Sequence, residues 1–171
     1  AIGWTVRTSG WALQDDGPKV SYEMASVPPV FTGTQTLIDL TTSEGRVTFE
    51  ALDLGTTWLA PDYDDNVFEW LPGPGLYGFN APGGVYPAPI NTVLNDGGAV
   101  TYYLRTHFTW NNDQNCAGLL VSNYLSAGAV FYLNGTEVKR VRMPEGPVTN
   151  NTPATGGPAQ PGTAELFDLP S

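Results

Sequence analysis

The dipeptide Asn134-Gly135 stands between two segments rich in β-branched and aromatic residues, and it constrains the fold more than any other feature of the sequence. Asn followed by Gly supplies the two positive-φ residues of a two-residue type I′ turn, whose twist matches that of the strands it joins. Residues 129–133 and 136–141 are therefore predicted to form a β-hairpin. The first arm is apolar on both faces and the second is not, which places the hairpin in a packed sheet with one wet edge.

The length and composition bound the fold class. A chain of 171 residues fits a single domain. Hydrophobic residues make up 41% of the sequence, enough for a core, while 20 Gly and 15 Pro interrupt any long helix. We therefore expect an all-β protein, one antiparallel β-sandwich domain over residues 1–171.

The excess of acidic residues argues against some classes of binding partner for this protein. A net charge of -10 repels phosphate backbones and anionic lipid, which disfavours nucleic-acid binding and a membrane-surface role. No stretch approaches the roughly 18 apolar residues of a membrane span, so membrane insertion is not expected. Few Lys and many Thr, Asn and Gly suit an extracellular or surface-associated protein.

Strand-forming runs recur on either side of a Pro- and Gly-rich segment, residues 53–98, which is predicted to be a long ordered loop region. Besides the hairpin arms, the predicted strands are residues 3–8, 20–24, 36–40, 46–52, 100–109, 117–124 and 164–169.

Three segments in order carry the pattern of a known family. They are Gly55–Asp65, Thr101–Thr109 and Gly128–Val138, the last followed by Arg-Met-Pro-Glu-Gly-Pro at 142–147. Together they resemble the galactose-binding-domain-like jelly-roll module, a carbohydrate-binding-module-like unit of secreted bacterial enzymes and surface proteins. The resemblance implies a two-sheet antiparallel jelly roll over residues 46–171, with residues 1–45 as an N-terminal extension or as edge strands.

The same resemblance implies a closing apolar strand after residues 164–169, whereas this sequence stops at Ser171. A sheet without that strand exposes unpaired backbone groups, which folded proteins generally cover. We expect a strand from residues 1–45, or from a neighbouring subunit of the same or another protein, to pair beside residues 164–169.

Asp62, Asp64 and Asp65 place three carboxylates within four residues. Such a cluster could bind calcium with help from backbone carbonyls, although no later Glu or turn glycine continues the spacing of an ion loop. In the family that the chain resembles, the Asp-aromatic-Asp-Asp run chiefly anchors its loop by capping backbone amides. Both interpretations stay open, and calcium is the one cofactor that the sequence suggests.

Exposed aromatic rings beside amide or acidic side chains could form a platform for a sugar, because a pyranose presents a C–H face to a ring and hydroxyls to polar neighbours. Trp4, Trp11, Trp58 and Trp70 are expected to pack instead. The candidate ligand-binding residues are Trp110, Asn111, Asn112 and Asp113 in a loop between strands, with Tyr77, Phe79 and Tyr86 in the Pro- and Gly-rich region.

No catalytic residue is predicted. His107 is the sole histidine and is expected to be a satisfied sheet residue, and Cys116 is the sole cysteine. The resemblance implies a non-catalytic extracellular carbohydrate-binding or adhesive module, with a glycan as partner. The alternative is a structural subunit of an extracellular or viral assembly completed by neighbouring chains, and a third interpretation is an accessory domain of a secreted hydrolase.

Overall fold

The computed structural model describes residues 2–10, 30–39, 44–48, 52–79, 86, 89–94, 98–109, 116–157 and 162–169, so the predicted strand at 20–24 lies outside the described residues. The described part is rich in strands and contains no α-helix, only one short 3-10 turn at Thr57–Leu59, which confirms the all-β prediction. In these residues no helix has the length and apolar character needed to cross a membrane.

The described strands are β1 (Ile2–Gly10), β2 (Val30–Ile38), β3 (Glu44–Thr48), β4 (Trp70–Pro74), β5 (Tyr77–Gly78), β6 (Thr92–Val93), β7 (Leu104–Thr106), β8 (Cys116–Asn123), β9 (Ala129–Leu133), β10 (Thr136–Val141) and β11 (Glu165–Asp168). They form two larger antiparallel sheets, one antiparallel hairpin and one two-residue parallel pair, β5 with β6.

The largest sheet has the order β11-β8-β1-β2, and all its neighbours are antiparallel. The N-terminal strands β1 and β2 therefore join the same sheet as β11, but on the opposite side of β8. Neither β1 nor β2 pairs beside residues 164–169, and the expected pairing by the rest of residues 1–45 or by a neighbouring subunit stays a prediction. Among the described strands, none pairs with the outer edge of β11.

β9 and β10 form the predicted hairpin. Asn134 has φ 48° and Gly135 has φ 83°, so both central turn residues adopt the left-handed conformation that a type I′ turn requires. Leu133 faces Thr136 directly after the turn, and the register shifts once further along β10, between Glu137 and Lys139. The turn and both arms are confirmed.

The hairpin packs against the four-stranded sheet through a group of buried apolar side chains that we call the hairpin core: Ile38, Val121, Phe131 and Leu169. Phe131 projects from the centre of β9 and meets the edge of the Phe167 ring at a centroid distance of 5.0 Å. Because these residues come from β2, β8, β9 and the end of β11, apolar burial joins the hairpin to this sheet.

The second sheet has the order β4-β3-β7. β4, β5 and β6 lie within the segment predicted to be loop, so that prediction is wrong for residues 70–74, 77–78 and 92–93. The prolines of β4, Pro72 and Pro74, had argued against a strand, but β4 is at the sheet edge, where a missing amide donor is tolerated. β7 is shorter than the predicted strand at 100–109. Just before it, the amide of Tyr103 donates to Thr48 Oγ1 at 3.1 Å, and the amide of Thr48 donates to the carbonyl of Tyr103 at 3.1 Å.

Candidate functional site

Two arginines face each other across the second sheet. Arg46 in β3 is directly opposite Arg105 in β7 in the register of the antiparallel pair. Directly opposed side chains lie on the same face of a sheet, and two like charges there are destabilising. The pair therefore needs a negative partner.

Asp65 supplies that negative charge from the loop before β4. Its Oδ2 accepts a hydrogen bond from Arg105 Nε at 2.9 Å, and its Oδ1 is 4.0 Å from Arg46 Nε. Arg46 reaches the same loop again, because its Nη2 donates to Asn66 Oδ1 at 2.9 Å. His107 Nε2 is 3.0 Å from Asp65 Oδ2. We call Asp65, Arg46, Arg105 and His107 the Asp65 cluster.

The surroundings of Asp65 favour its ionised form. Burial by itself would raise the pKa of this carboxyl, but hydrogen bonds from His107 and Arg105, together with their charges, more than offset burial and lower the pKa. An ionised carboxylate only accepts hydrogen bonds, so His107 carries its proton on Nε2 and donates it to Asp65. Among the described residues, the other ring nitrogen, Nδ1, has no hydrogen-bond partner.

Two aromatic side chains support the cluster, Tyr63 in the same loop and Trp70 at the start of β4. The Arg105 guanidinium carbon is 5.4 Å from the centroid of the Tyr63 ring, within the range of a cation-π contact. Trp70 Nε1 donates to the hydroxyl of Tyr63 at 3.3 Å. Arg105 Nη1 also donates to the carbonyl of Trp58. Arg105 is thus held by groups on three sides, which fixes the position of the 58–65 loop on the sheet.

His107 differs from its prediction as a satisfied sheet residue. It lies just after the end of β7, and its side chain is 64% exposed although one nitrogen is bound to Asp65. The described structure thus presents an oriented imidazole at the surface beside a buried ion pair. Such an imidazole can accept a hydrogen bond from a ligand.

An open cleft of about 290 Å³ lies between β7 and the hairpin. Its lining comprises residues 58, 59 and 61, residues 104–108, and residues 130–135. These are parts of the three segments that carry the family resemblance. These segments are separate in the sequence, and the fold brings them together around this cleft.

The cleft wall contains two aromatic rings in edge contact. Trp58 meets Tyr132 at a centroid distance of 5.7 Å and an interplanar angle of 82°, and it meets Tyr103 at 5.0 Å and 65°. Burial raises the pKa of Tyr132, and the charge of Glu137 raises it further, so the phenol stays protonated. Trp58 therefore packs, as predicted, but it also lines the cleft.

The predicted ligand-binding residues that the structure describes do not line this cleft. Tyr77 lies in β5, where its hydroxyl donates to the carbonyl of Gly73 at 2.9 Å, and it lines a separate small cavity of about 40 Å³. Tyr86 is exposed, and Phe79 packs edge-on against Tyr102 with centroids 5.5 Å apart. Trp110, Asn111, Asn112 and Asp113 lie outside the described residues.

The three acidic residues of the predicted calcium site have different surroundings. Asp62 and Asp64 are exposed, and Asp64 Oδ1 accepts the amide of Asn66 at 3.0 Å, whereas Asp65 is buried. Asp64 thus caps a backbone amide, and Asp65 anchors the loop through cationic side chains. The described residues contain no group of three or more Asp, Glu, His or Cys arranged to hold a metal ion, and the calcium site stays a prediction.

No protein-family model matches this chain, and neither the curated proteins nor the solved structures contain a significant match to it. Function is therefore inferred from the site itself.

Proposed function

We propose that this protein is a non-catalytic, extracellular carbohydrate-binding or adhesive module of the galactose-binding-like jelly-roll type, and that the cleft between β7 and the hairpin is its sugar site. The observation that carries the proposal is the combination of Trp58 and Tyr132 in one open cleft with His107. Aromatic rings and a few convergent polar groups are the components of a small-molecule site.

The chemistry of the cleft suits a sugar ring. The C–H face of a pyranose packs on an aromatic ring, while its hydroxyls need donors and acceptors at the edge of that ring. Tyr132 supplies a protonated hydroxyl, His107 a ring nitrogen, and Asn134 at the hairpin turn an amide. The volume of about 290 Å³ is at the lower end of ligand pockets, which favours one or two sugar units over a long chain.

The proposal is tested by glycan-array screening of the wild-type protein, followed by calorimetric titration of the best glycan. Replacing Trp58 by Ala should weaken binding about tenfold, which corresponds to the loss of one aromatic contact. Trp58→Phe should retain part of the affinity, because it keeps a ring in the wall. Trp110→Ala tests the remaining sequence-based candidate in the same assay.

The matched control is Phe68→Ala, which removes an aromatic ring that is 82% exposed and is not part of the cleft lining. It should leave the affinity unchanged. An array without hits, or equal losses for Trp58→Ala and Phe68→Ala, would contradict a sugar site in this cleft. A thermal melt of each variant separates loss of binding from loss of folding.

A structural subunit remains the second candidate, and one observation favours it. Among the described strands β11 lies at a sheet edge, and Leu166 on it is 63% exposed. Exposed apolar edge strands are templates for pairing with another chain. Light scattering over a range of protein concentrations should show association in this case, and Leu166→Lys should abolish it. A monomer at all concentrations would count against self-assembly through β11.

A further inference from the structure

Asp65 determines which nitrogen of His107 carries the proton. Its Oδ2 is 3.0 Å from His107 Nε2 and 2.9 Å from Arg105 Nε, and the Asp65 side chain is only 7% exposed. Burial by itself would raise the pKa of this carboxyl, but the hydrogen bonds from His107 and Arg105 lower it, so the carboxylate is ionised and only accepts. The hydrogen of the neutral imidazole therefore lies on Nε2, and Nδ1 keeps a lone pair.

The imidazole of His107 combines a fixed orientation with an open acceptor. His107 belongs to the cleft lining, and its side chain is 64% exposed. Within the part of the chain that the structure describes, Nδ1 has no hydrogen-bond partner. Turning the ring over to present Nε2 instead would break the hydrogen bond to Asp65. A ligand that enters the cleft beside His107 therefore meets an acceptor on this ring and not a donor.

This acceptor differs from two other polar side chains of the cleft lining. The hydroxyl of Tyr132 can donate or accept a hydrogen bond, and so can the amide of Asn134, which is exposed at the hairpin turn. Both groups can adapt to a ligand atom of either kind. Nδ1 of the neutral ring only accepts, so it needs an O–H or N–H group on the ligand, and a carboxylate or a fluorine atom offers it no hydrogen. His107 can therefore distinguish a hydroxyl from a group of similar size that lacks the hydrogen.

We propose that His107 is a specificity-determining residue of the sugar site, and that its Nδ1 accepts the hydrogen of one hydroxyl of a neutral sugar whose ring packs on Trp58 or Tyr132. This inference rests on the proposed function, because it names the group that selects among sugars in the same cleft. The expected preference is moderate, since a hydrogen bond at an exposed position replaces one to water, and its net contribution corresponds to about fivefold in affinity.

The test replaces single hydroxyls of simple sugars. Methyl glycosides of glucose, galactose, mannose and xylose are titrated at about pH 8, where imidazole side chains are ordinarily neutral. Each is compared with analogues that carry fluorine in place of one hydroxyl at a time, because fluorine keeps the approximate size of the hydroxyl and removes its hydrogen. For at least one sugar, replacement at one position should weaken binding about fivefold, because Nδ1 loses its donor.

His107→Phe identifies the residue responsible. The variant keeps a flat ring in the cleft wall and removes both nitrogens, so it should bind the hydroxyl and the fluorine form with equal affinity. The ratio of two affinities measured on one variant does not change with a general loss of stability. Thr109→Val is the matched control, since it also removes a hydrogen-bonding group, at a nearby exposed position that does not line the cleft. It should keep the preference of the wild type.

Nitrogen NMR of the wild type gives a second readout without any substitution. His107 is the sole histidine, so protein labelled in histidine reports on this ring alone. The chemical shifts of the two ring nitrogens show which one carries the hydrogen, and we expect it on Nε2. The Nδ1 resonance should move when the preferred sugar binds, and it should move less with the fluorinated analogue that loses affinity.

The outcomes separate the two proposals. If every fluorinated analogue binds as tightly as its parent sugar, or if His107→Phe retains the preference of the wild type, the inference about His107 is wrong while the sugar site stands. A hydrogen on Nδ1 in the NMR spectrum would overturn it in the same way. Loss of the preference in both His107→Phe and Thr109→Val would overturn the assignment to His107. If none of the parent sugars binds, both proposals are wrong.

Discussion

The hairpin core and the Asp65 cluster hold two parts of this molecule together by different physical means. The hairpin core joins β2, β8, β9 and the end of β11 through apolar side chains alone. The Asp65 cluster ties the loop before β4 to β3 and β7 through one buried carboxylate and its cationic partners. The candidate cleft lies between these two regions, with the hairpin as one wall and β7 as the other.

The comparison shows how the two regions should respond to substitution. Apolar burial is non-directional and roughly proportional to the area removed from water, so a core tolerates changes that conserve volume. A buried charge cluster depends on particular atoms, because removing one partner leaves the others as uncompensated charges. The hairpin core should therefore be sensitive to size, and the Asp65 cluster to charge at constant size.

The largest expected effect is in the hairpin core. Phe131→Ala removes a buried ring that contacts Phe167, and it should lower the free energy of unfolding by about 3–5 kcal/mol. Denaturant unfolding monitored by fluorescence measures the loss. Leu166→Ala, at an exposed position on β11, should change stability by less than about 0.5 kcal/mol. Similar values for the two variants would contradict the position of the core.

Asp65→Asn tests the Asp65 cluster at constant size. The substitution removes the counter-charge of Arg105 and one ionic partner of Arg46, and it should cost about 3 kcal/mol. The matched control is Asp64→Asn in the same loop, which keeps the oxygen that accepts the amide of Asn66 and should have an effect below about 0.5 kcal/mol. Equal losses in the two variants would show that the loop is not held by charge.

The stabilisation by Asp65 should also depend on pH in a definite direction. The pKa of Asp65 is lowered below its ordinary value of 3.8, so the folded state favours the ionised form. Its contribution is therefore complete above the unfolded-state pKa, near 4, and is lost as the pH falls through the lower folded-state pKa. The stability difference between wild type and Asp65→Asn should persist down to about pH 4 and shrink below it. If the stability difference instead grows as the pH falls, the predicted direction of the pH dependence is wrong.

The sequence predicted those parts of the fold that local chemistry determines. Asn134-Gly135 specified the hairpin because two residues suffice to define the turn, and the strands β1, β8 and β11 overlap the predicted ranges. β4 was missed because Pro72 and Pro74 oppose a strand in general, and only the sheet order reveals that they lie on an edge. The pairing of β1 with β8 could not be predicted either, because it joins strands that are distant in sequence.

The candidate site was harder to predict because its parts are distant in sequence. Asp65 and Arg105 are 40 residues apart, and no periodicity indicates which arginine meets which acid. Asp65 was identified as a structural or metal-binding residue, whereas His107 was expected to be a satisfied sheet residue. The one available signal was that Trp58, Arg105 and Tyr132 occur in the three segments that resemble one family.

Gly135→Ala tests the turn of the hairpin, which lies against the loop that carries Asp65. Gly135 has φ 83°, and a Cβ at this position would lie 3.1 Å from the carbonyl oxygen of Leu59 across the cleft. The left-handed conformation should cost about 1–2 kcal/mol for a residue with a Cβ. Gly156→Ala, where a Cβ would have open space, should change stability by less than about 0.5 kcal/mol. Thermal melts of both variants provide the comparison, and equal shifts would contradict a strained turn.

The smallest expected effect concerns an ion pair at the surface of the hairpin half. Arg142 donates to both carboxylate oxygens of Glu165 at 2.7 and 2.8 Å, which links the end of β10 to β11. Both side chains are partly exposed, so Glu165→Gln should cost less than about 1 kcal/mol, and high salt should remove most of that difference. Glu145→Gln, on an exposed residue, is the control and should have no measurable effect. Denaturant unfolding at low and high salt gives both values. A loss as large as that of Asp65→Asn would mean that burial does not distinguish the two ion pairs, and the contrast between the two regions would fail.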